Sequence, residues 1–158
     1  FVFKILYEIH KLLTLVFTGK LIKFGNFSCL PKNHVKQLIL KPYLWNSYSS
    51  SVVKAIEDRT FIRSIRGTRY VLPSKVNFFG LIFHSLTIIS VFRKEVIFRS
   101  IIFLLVYLFL IFNNISILSS IPILFLIIFV LYIIKISMRS NKSEFDKSLD
   151  NIGSIDVL

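Results

Sequence analysis

The sequence predicts a mainly α membrane protein in which interfacial amphipathic helices lead into a two-helix transmembrane hairpin. Three observations carry this expectation. The 158 residues are 54% hydrophobic with a mean hydropathy of +0.72, too apolar for an ordinary soluble domain. Two apolar stretches, 96–113 and 117–135, each approach the ~20 residues that hydrocarbon requires, and the few residues between them force an antiparallel pair. Charge is one-sided: residues 1–99 hold 16 Lys/Arg against 4 Asp/Glu, whereas residues 100–158 hold 4 of each.

In chain order, residues 1–19 place Lys4, Glu8 and Lys11 on one side of a helix and Leu6, Ile9, Leu13 and Phe17 elsewhere, with Gly19 as the stop. This amphipathic helix has two readings, on a membrane surface or against a further domain. "IKFGNFSCLP" at 22–31, closed by Pro31, suggests a strand, and one or two helices should cover 32–56. "RTFIRSIR" at 59–66 alternates well enough to be a second strand. Ser74 can cap a helix running to Phe92, in which Asn77, Gly80, His84 and Thr87 share a face; that polar stripe argues for a helix lying in the interface.

Arg93, Lys94 and Arg99 precede or open the first apolar stretch, Lys135, Arg139 and Lys142 follow the second, and the connecting loop has no Lys or Arg. The positive-inside bias therefore puts both chain ends in the cytoplasm, and a third span over 76–92 would reverse one flank. The tail 136–158 is polar and near neutral, which predicts a solvated segment. The opening "FVFKILYEIHKLL" lacks the unbroken apolar core of a signal peptide, and the sequence reads as the C-terminal piece of a longer protein.

Chemistry-bearing motifs are sparse. There is no GxxxxGK[ST], GxSxG, HExxH or DxD, and Cys29 is the single cysteine, so one chain can build neither a disulfide nor a CxxC pair. His10, His34 and His84 lack neighbours at metal-ligand spacing, so no metal is assigned. The charge surplus points to anionic headgroups or a phosphorylated substrate; no nucleic-acid fold signature accompanies it. Residues 100–134 contain no ionisable Asp, Glu, Lys, Arg or His, which argues against a transporter or channel.

The basic stretch "RSIRGTRYVLPSK" repeats Arg63, Arg66 and Arg69 at every third residue ahead of Ser74 and Lys75. Guanidinium groups bind phosphate oxygens in pairs, and a helix start near Ser74 adds backbone donors. A solvated or headgroup-facing loop is the other reading of the same charge.

The order "FGNFSCLP", "LWNSY", "IRSIRGTRYVLPSK", "FHSLTIISVF" and then a helix pair resembles the C-terminal part of membrane-bound family 2 glycosyltransferases, in particular polyprenyl-phosphate and dolichyl-phosphate sugar transferases. The likeness covers residues 1–135 and departs at Leu72 and Ser85, where glycine is usual.

The resemblance implies that residues 1–73 are the C-terminal remnant of a GT-A α/β domain. Residues 74–95 would then be an interfacial amphipathic helix, 96–135 two transmembrane helices and 136–158 a cytoplasmic tail. It also implies acceptor-phosphate binding by Arg66, Arg69, Ser74 and Lys75, with acceptor-side contacts from Asn26, Arg63 and Trp45. No catalytic residue falls in these 158 residues; the nucleotide-sugar site and its divalent metal, Mg or Mn, belong to an N-terminal domain. The implied role is to anchor that domain in the inner membrane and hold a lipid-phosphate acceptor in cell-envelope polysaccharide synthesis, with homo-oligomerisation left open. The alternative is a non-enzymatic membrane anchor, or a truncated gene remnant, with a basic cytoplasmic face.

Overall fold

The computed structural model describes residues 2–22, 27–60, 62, 77–113 and 115–147. Over these residues the chain is helical: α1 (Val2–Thr18), α2 (Lys32–Ile39), a 3-10 turn (Pro42–Trp45), α3 (Tyr48–Ala55), α4 (Phe78–Ser90), α5 (Arg93–Ile111), α6 (Ile117–Ser137) and the short α7 (Lys142–Lys147).

The helices end where local chemistry ends them. Gly19, at φ +70°, takes the left-handed turn after α1, a conformation that side chains other than glycine resist. Ser47 caps α3, and Asn77 caps α4, its Oδ1 accepting from the Gly80 N–H at 2.7 Å. Ser116 and Ser119 form a reciprocal capping box at the start of α6.

Three expectations change. Among the described parts of the two predicted strands, residues 22, 27–31, 59, 60 and 62, there is no strand; the rest of each lies outside the described residues. An apolar alternation needs a pairing partner to become a strand, and a lone extended segment does not hold itself. The interfacial helix starts at Phe78 rather than after Ser74, because Asn77 supplies the cap. Its stripe is not a uniform polar face: His84 is exposed, but Thr87 and Ser90 are buried and donate to the carbonyls of His84 and Thr87 at 2.7 and 2.8 Å. The tail forms α7 over 142–147, and the remainder, 148–158, lies outside the described residues.

Packing falls into two layers. In the first, α2, the 3-10 turn and α3 gather around Leu38, Val52 and Ile56, each at most 3% exposed. In the second, α1, α4, α5 and α6 meet at Ile89, Val96 and Ile133, flanked by Phe17, Leu86 and Phe129. Burial of each such side chain contributes about 1.5–3 kcal/mol. The elbow between α4 and α5 joins the layers, with Val91 and Phe92 buried against Val53 of α3 and edged by Tyr43 and Ile22.

Helices α5 and α6 run antiparallel. At one end Arg93 donates to Ser137 Oγ at 3.3 Å, and towards the other Tyr107 OH donates to the Ser119 carbonyl at 3.0 Å. Helix α6 is long and apolar enough to cross a membrane. Helix α5 opens on Arg93, Lys94 and Glu95 and carries Arg99 one turn later.

The second layer buries hydroxyls beside its apolar core and leaves large apolar side chains outside. Thr14, Thr18, Thr87, Ser90, Ser100 and Ser137 are all at most 5% exposed, while Leu12, Leu105, Phe109, Leu110, Leu124, Phe125 and Leu131 are 58% exposed or more. Small hydroxyl residues at helix contacts let backbones approach; Thr14 and Thr18 donate to carbonyls within their own helix at 2.8 and 2.6 Å, whereas Ser100 Oγ has no partner among the described residues.

Candidate functional site

Of the residues expected to bind or contact the acceptor, Trp45 alone is described. It sits in the 3-10 turn, 41% exposed. Asn26, Arg63, Arg66, Arg69, Ser74 and Lys75 lie outside the described residues. No group of three metal-ligating side chains occurs among the described residues.

The structure draws together a different set. A cleft of about 650 Å³ opens where α3 and the 3-10 turn face the α4–α5 elbow and the end of α6. Its charged wall is Lys54, Arg93, Lys94 and Glu95, and its polar wall includes Asn46 and Ser137. The fold makes this neighbourhood through Phe92: burying that ring, 1% exposed, under α3 sets the first turn of α5 above Lys54.

Lys54 is the best-fixed member. Its Nζ donates to the Val91 carbonyl at 2.5 Å, lies 3.9 Å from Glu95 Oε2, and stands over the Tyr43 and Phe92 rings at 5.1 and 5.5 Å. Burial pushes its pKa below the usual lysine value; Glu95 opposes the shift, while Lys94 and Arg93 add to it. Tyr43 is shifted upward by the same loss of water.

The cleft is under-satisfied. Both side-chain atoms of Asn46 and Oε2 of Glu95 are buried without a hydrogen-bond partner among the described residues. Lys94 is exposed and makes no ion pair there. Three cations against one carboxylate leave the site positive, so it suits an anion.

The sequence carried a signal for this set. Lys54 interrupts the otherwise uncharged run "SSSVVKAI", and a lone lysine in a buried helix must find a carbonyl, a ring or a carboxylate. The partners at 91–95 are not legible, because nothing local says that the elbow folds back onto α3.

A second cleft, of about 550 Å³, lies between the 27–31 segment and the residues following α3. His34, Asp58 and Arg59 line it beside Cys29, with His34 Nδ1 and Arg59 Nε unpartnered among the described residues. Arg59 Nη1 donates to the Val53 carbonyl at 2.8 Å, which ties this wall to the end of α3. Ser28 Oγ and Tyr48 OH share a hydrogen bond that holds the 27–31 segment on α3.

No family model matches the chain, and neither a curated protein nor a solved structure matches it.

Proposed function

We propose that this chain is the acceptor-binding and membrane-anchoring part of a glycosyltransferase that moves a sugar from a nucleotide-sugar donor to a lipid-linked, polyprenyl-phosphate-like acceptor in cell-envelope polysaccharide synthesis. The observation that carries the membrane half of this reading is the outside of the second layer, where large apolar side chains cover α5 and α6, with small hydroxyl residues among the helix contacts.

On this reading α5 and α6 cross the inner membrane as a hairpin with both ends cytoplasmic. Charge supports that orientation: Arg93, Lys94, Lys135, Arg139 and Lys142 all gather at the end where Arg93 meets Ser137, and the opposite turn has no Lys or Arg. Helices α1 and α4 lie against the cytoplasmic half of the hairpin, where Phe17 contacts Phe103 and Phe129 at ring centroid distances of 5.8 and 4.6 Å.

The glycosyltransferase half rests on the basic stretch. Arg66, Arg69, Ser74 and Lys75 would neutralise the acceptor phosphate and orient its attacking oxygen, while a nucleotide-sugar domain supplies the metal-bound leaving group. In the full-length enzyme, Arg66→Ala with Arg69→Ala is expected to weaken acceptor affinity and turnover at least about tenfold. Unchanged turnover on a polyprenyl-phosphate acceptor would overturn the assignment. Alkaline carbonate extraction tests the anchoring half, since a spanning hairpin stays in the pellet.

A further inference from the structure

The cleft around Lys54 has more positive charge than its own walls neutralise, and more acceptors than its own donors reach. We propose that it binds the headgroup of an anionic phosphodiester lipid bearing hydroxyls, of the phosphatidylglycerol class. The proposal rests on the membrane reading given above, and it assigns a site in residues separate from Arg66, Arg69, Ser74 and Lys75.

Charge selects the phosphate. Arg93 and Lys94 open α5 at the cleft mouth; Arg93 spends one N–H on Ser137, which leaves its other donors and the whole Lys94 ammonium for phosphate oxygens. The unpartnered acceptors select the rest of the ligand. A bare phosphate would leave Asn46 Oδ1 without a donor and Glu95 Oε2 with only its 3.9 Å ion pair to Lys54, whereas a headgroup hydroxyl can donate to either while accepting from Asn46 Nδ2.

Position selects a lipid over a soluble ester. The cleft lies where the apolar stretches of α5 and α6 end, the depth at which headgroups sit beside spanning helices. Met138 belongs to the cleft wall, and Leu124, Leu131 and Met138 recur every seven residues along α6, each 58% exposed or more. That stripe gives an acyl chain an apolar path leading out of the cleft. Near the same end, the Arg139 guanidinium stands 5.5 Å from the Phe83 ring centre, a cation and an aromatic paired at the depth where both favour the interface.

The test is thermal unfolding of the chain in phosphatidylcholine nanodiscs, with and without a minor fraction of phosphatidylglycerol. Phosphatidylglycerol should raise the melting temperature of the wild type by about 2–4 °C. Lys94→Gln alone, at an exposed side chain, should lose at least half of that shift, and Arg93→Gln with Lys94→Gln should lose all of it. Lys32→Gln with Lys36→Gln removes the same charge from α2 and should keep the shift. Equal shifts in the wild type and both cleft variants, or loss of the shift in the α2 variant, would overturn the site. An equal shift from phosphatidylethanolamine would overturn the headgroup class, and one from soluble glycerol 3-phosphate would overturn the lipid assignment. A chain released by carbonate extraction would instead overturn the membrane reading, and this site with it.

Discussion

The two packed layers of this chain both bury serine or threonine hydroxyls beside an apolar core, and they differ in how much apolar surface they leave outside. Around α2 and α3, Leu38, Val52 and Ile56 form an apolar core beside the buried Ser49, Ser50 and Ser51, and Lys32 and Lys36 face outward. Around α1, α4, α5 and α6, Ile89, Val96 and Ile133 are buried together with threonine and serine hydroxyls, while Leu105, Phe125 and Ile128 are among the many large apolar side chains that face outward. On the membrane reading proposed above the difference has a physical reason: water favours the charged outside of the first layer, and a lipid solvent removes the reason to hide apolar side chains while penalising any hydroxyl it touches. Phe92 sits at the boundary, fully buried between the two layers.

An arginine placed on each outward face breaks the comparison most directly. Ile128 lies near the middle of α6 and is 53% exposed; Ile39 at the end of α2 is 52% exposed. In a soluble fold both substitutions would be nearly neutral. If α6 spans, Ile128→Arg costs about 2.5–3.5 kcal/mol of insertion free energy, and a glycosylation-reporter insertion assay should show most of that loss. Ile39→Arg should leave insertion unchanged. Equal behaviour of the two variants would remove the distinction between the layers.

The next effect is at the end of α1. Gly19 needs its positive φ, and a Cβ there would fall on the guanidinium of Arg99, which reaches from α5 to donate to the Val16 carbonyl at 3.2 Å. Gly19→Ala should therefore cost roughly 1–2 kcal/mol from the left-handed backbone alone and push Arg99 off the helix end as well. Hydrogen exchange should report it as selective loss of protection in α1, with α6 little changed.

Two arginines allow a finer comparison. Arg59 donates to the Val53 carbonyl near the end of α3, and Arg99 donates to the Val16 carbonyl near the end of α1, so each places a cation against the negative pole of a helix. Arg59→Gln and Arg99→Gln should each cost about 0.3–1 kcal/mol. The salt response separates them. If α5 and α6 span, raising salt from low to molar concentration should shrink the Arg59 effect and leave the Arg99 effect nearly intact, since ions do not enter lipid; equal shrinkage of both would count against the membrane reading.

The sequence made the helical segments of both layers legible for a physical reason: periodicity, caps and apolar length are local properties. Gly19 marked the stop of α1, and the interval 32–56 resolved into α2 and α3 as expected. Asn77 displaced Ser74 as the cap because both residue types can cap, and the following turn decides between them. Burial of Thr87 and Ser90 was not legible, because it depends on α1 and α6 covering the last turns of α4. The Lys54 cleft was not read from the sequence: Lys54 falls in a segment read only as helix, and the Val91 carbonyl and Glu95 that hold it, 37 or more residues away, are joined to it by the buried elbow at Val91 and Phe92. Of the residues expected to hold an acceptor phosphate, none is among those described.

The smallest expected effect concerns the contact between α1 and α4. His10 is half-buried, lies next to Thr14 Oγ1 at 3.4 Å from its Nδ1, and has its pKa lowered by burial first and by His84 of α4 second. A histidine whose folded pKa is depressed binds fewer protons folded than unfolded once pH falls below the unfolded value of about 6.5. Stability should therefore be full above that pH and decline as pH drops through it, until the lowered folded pKa is passed and the loss is complete. Because the penalty is partly electrostatic, His84→Gln should reduce the acid-induced loss and His10→Gln should remove it. The readout is the melting temperature at pH 7.5 against pH 5. An acid response seen as exchange in α1 and α4 without change in α2 and α3 would place the sensitivity in the second layer, beyond the boundary at Phe92. An unchanged acid response in His10→Gln would show that other groups set it.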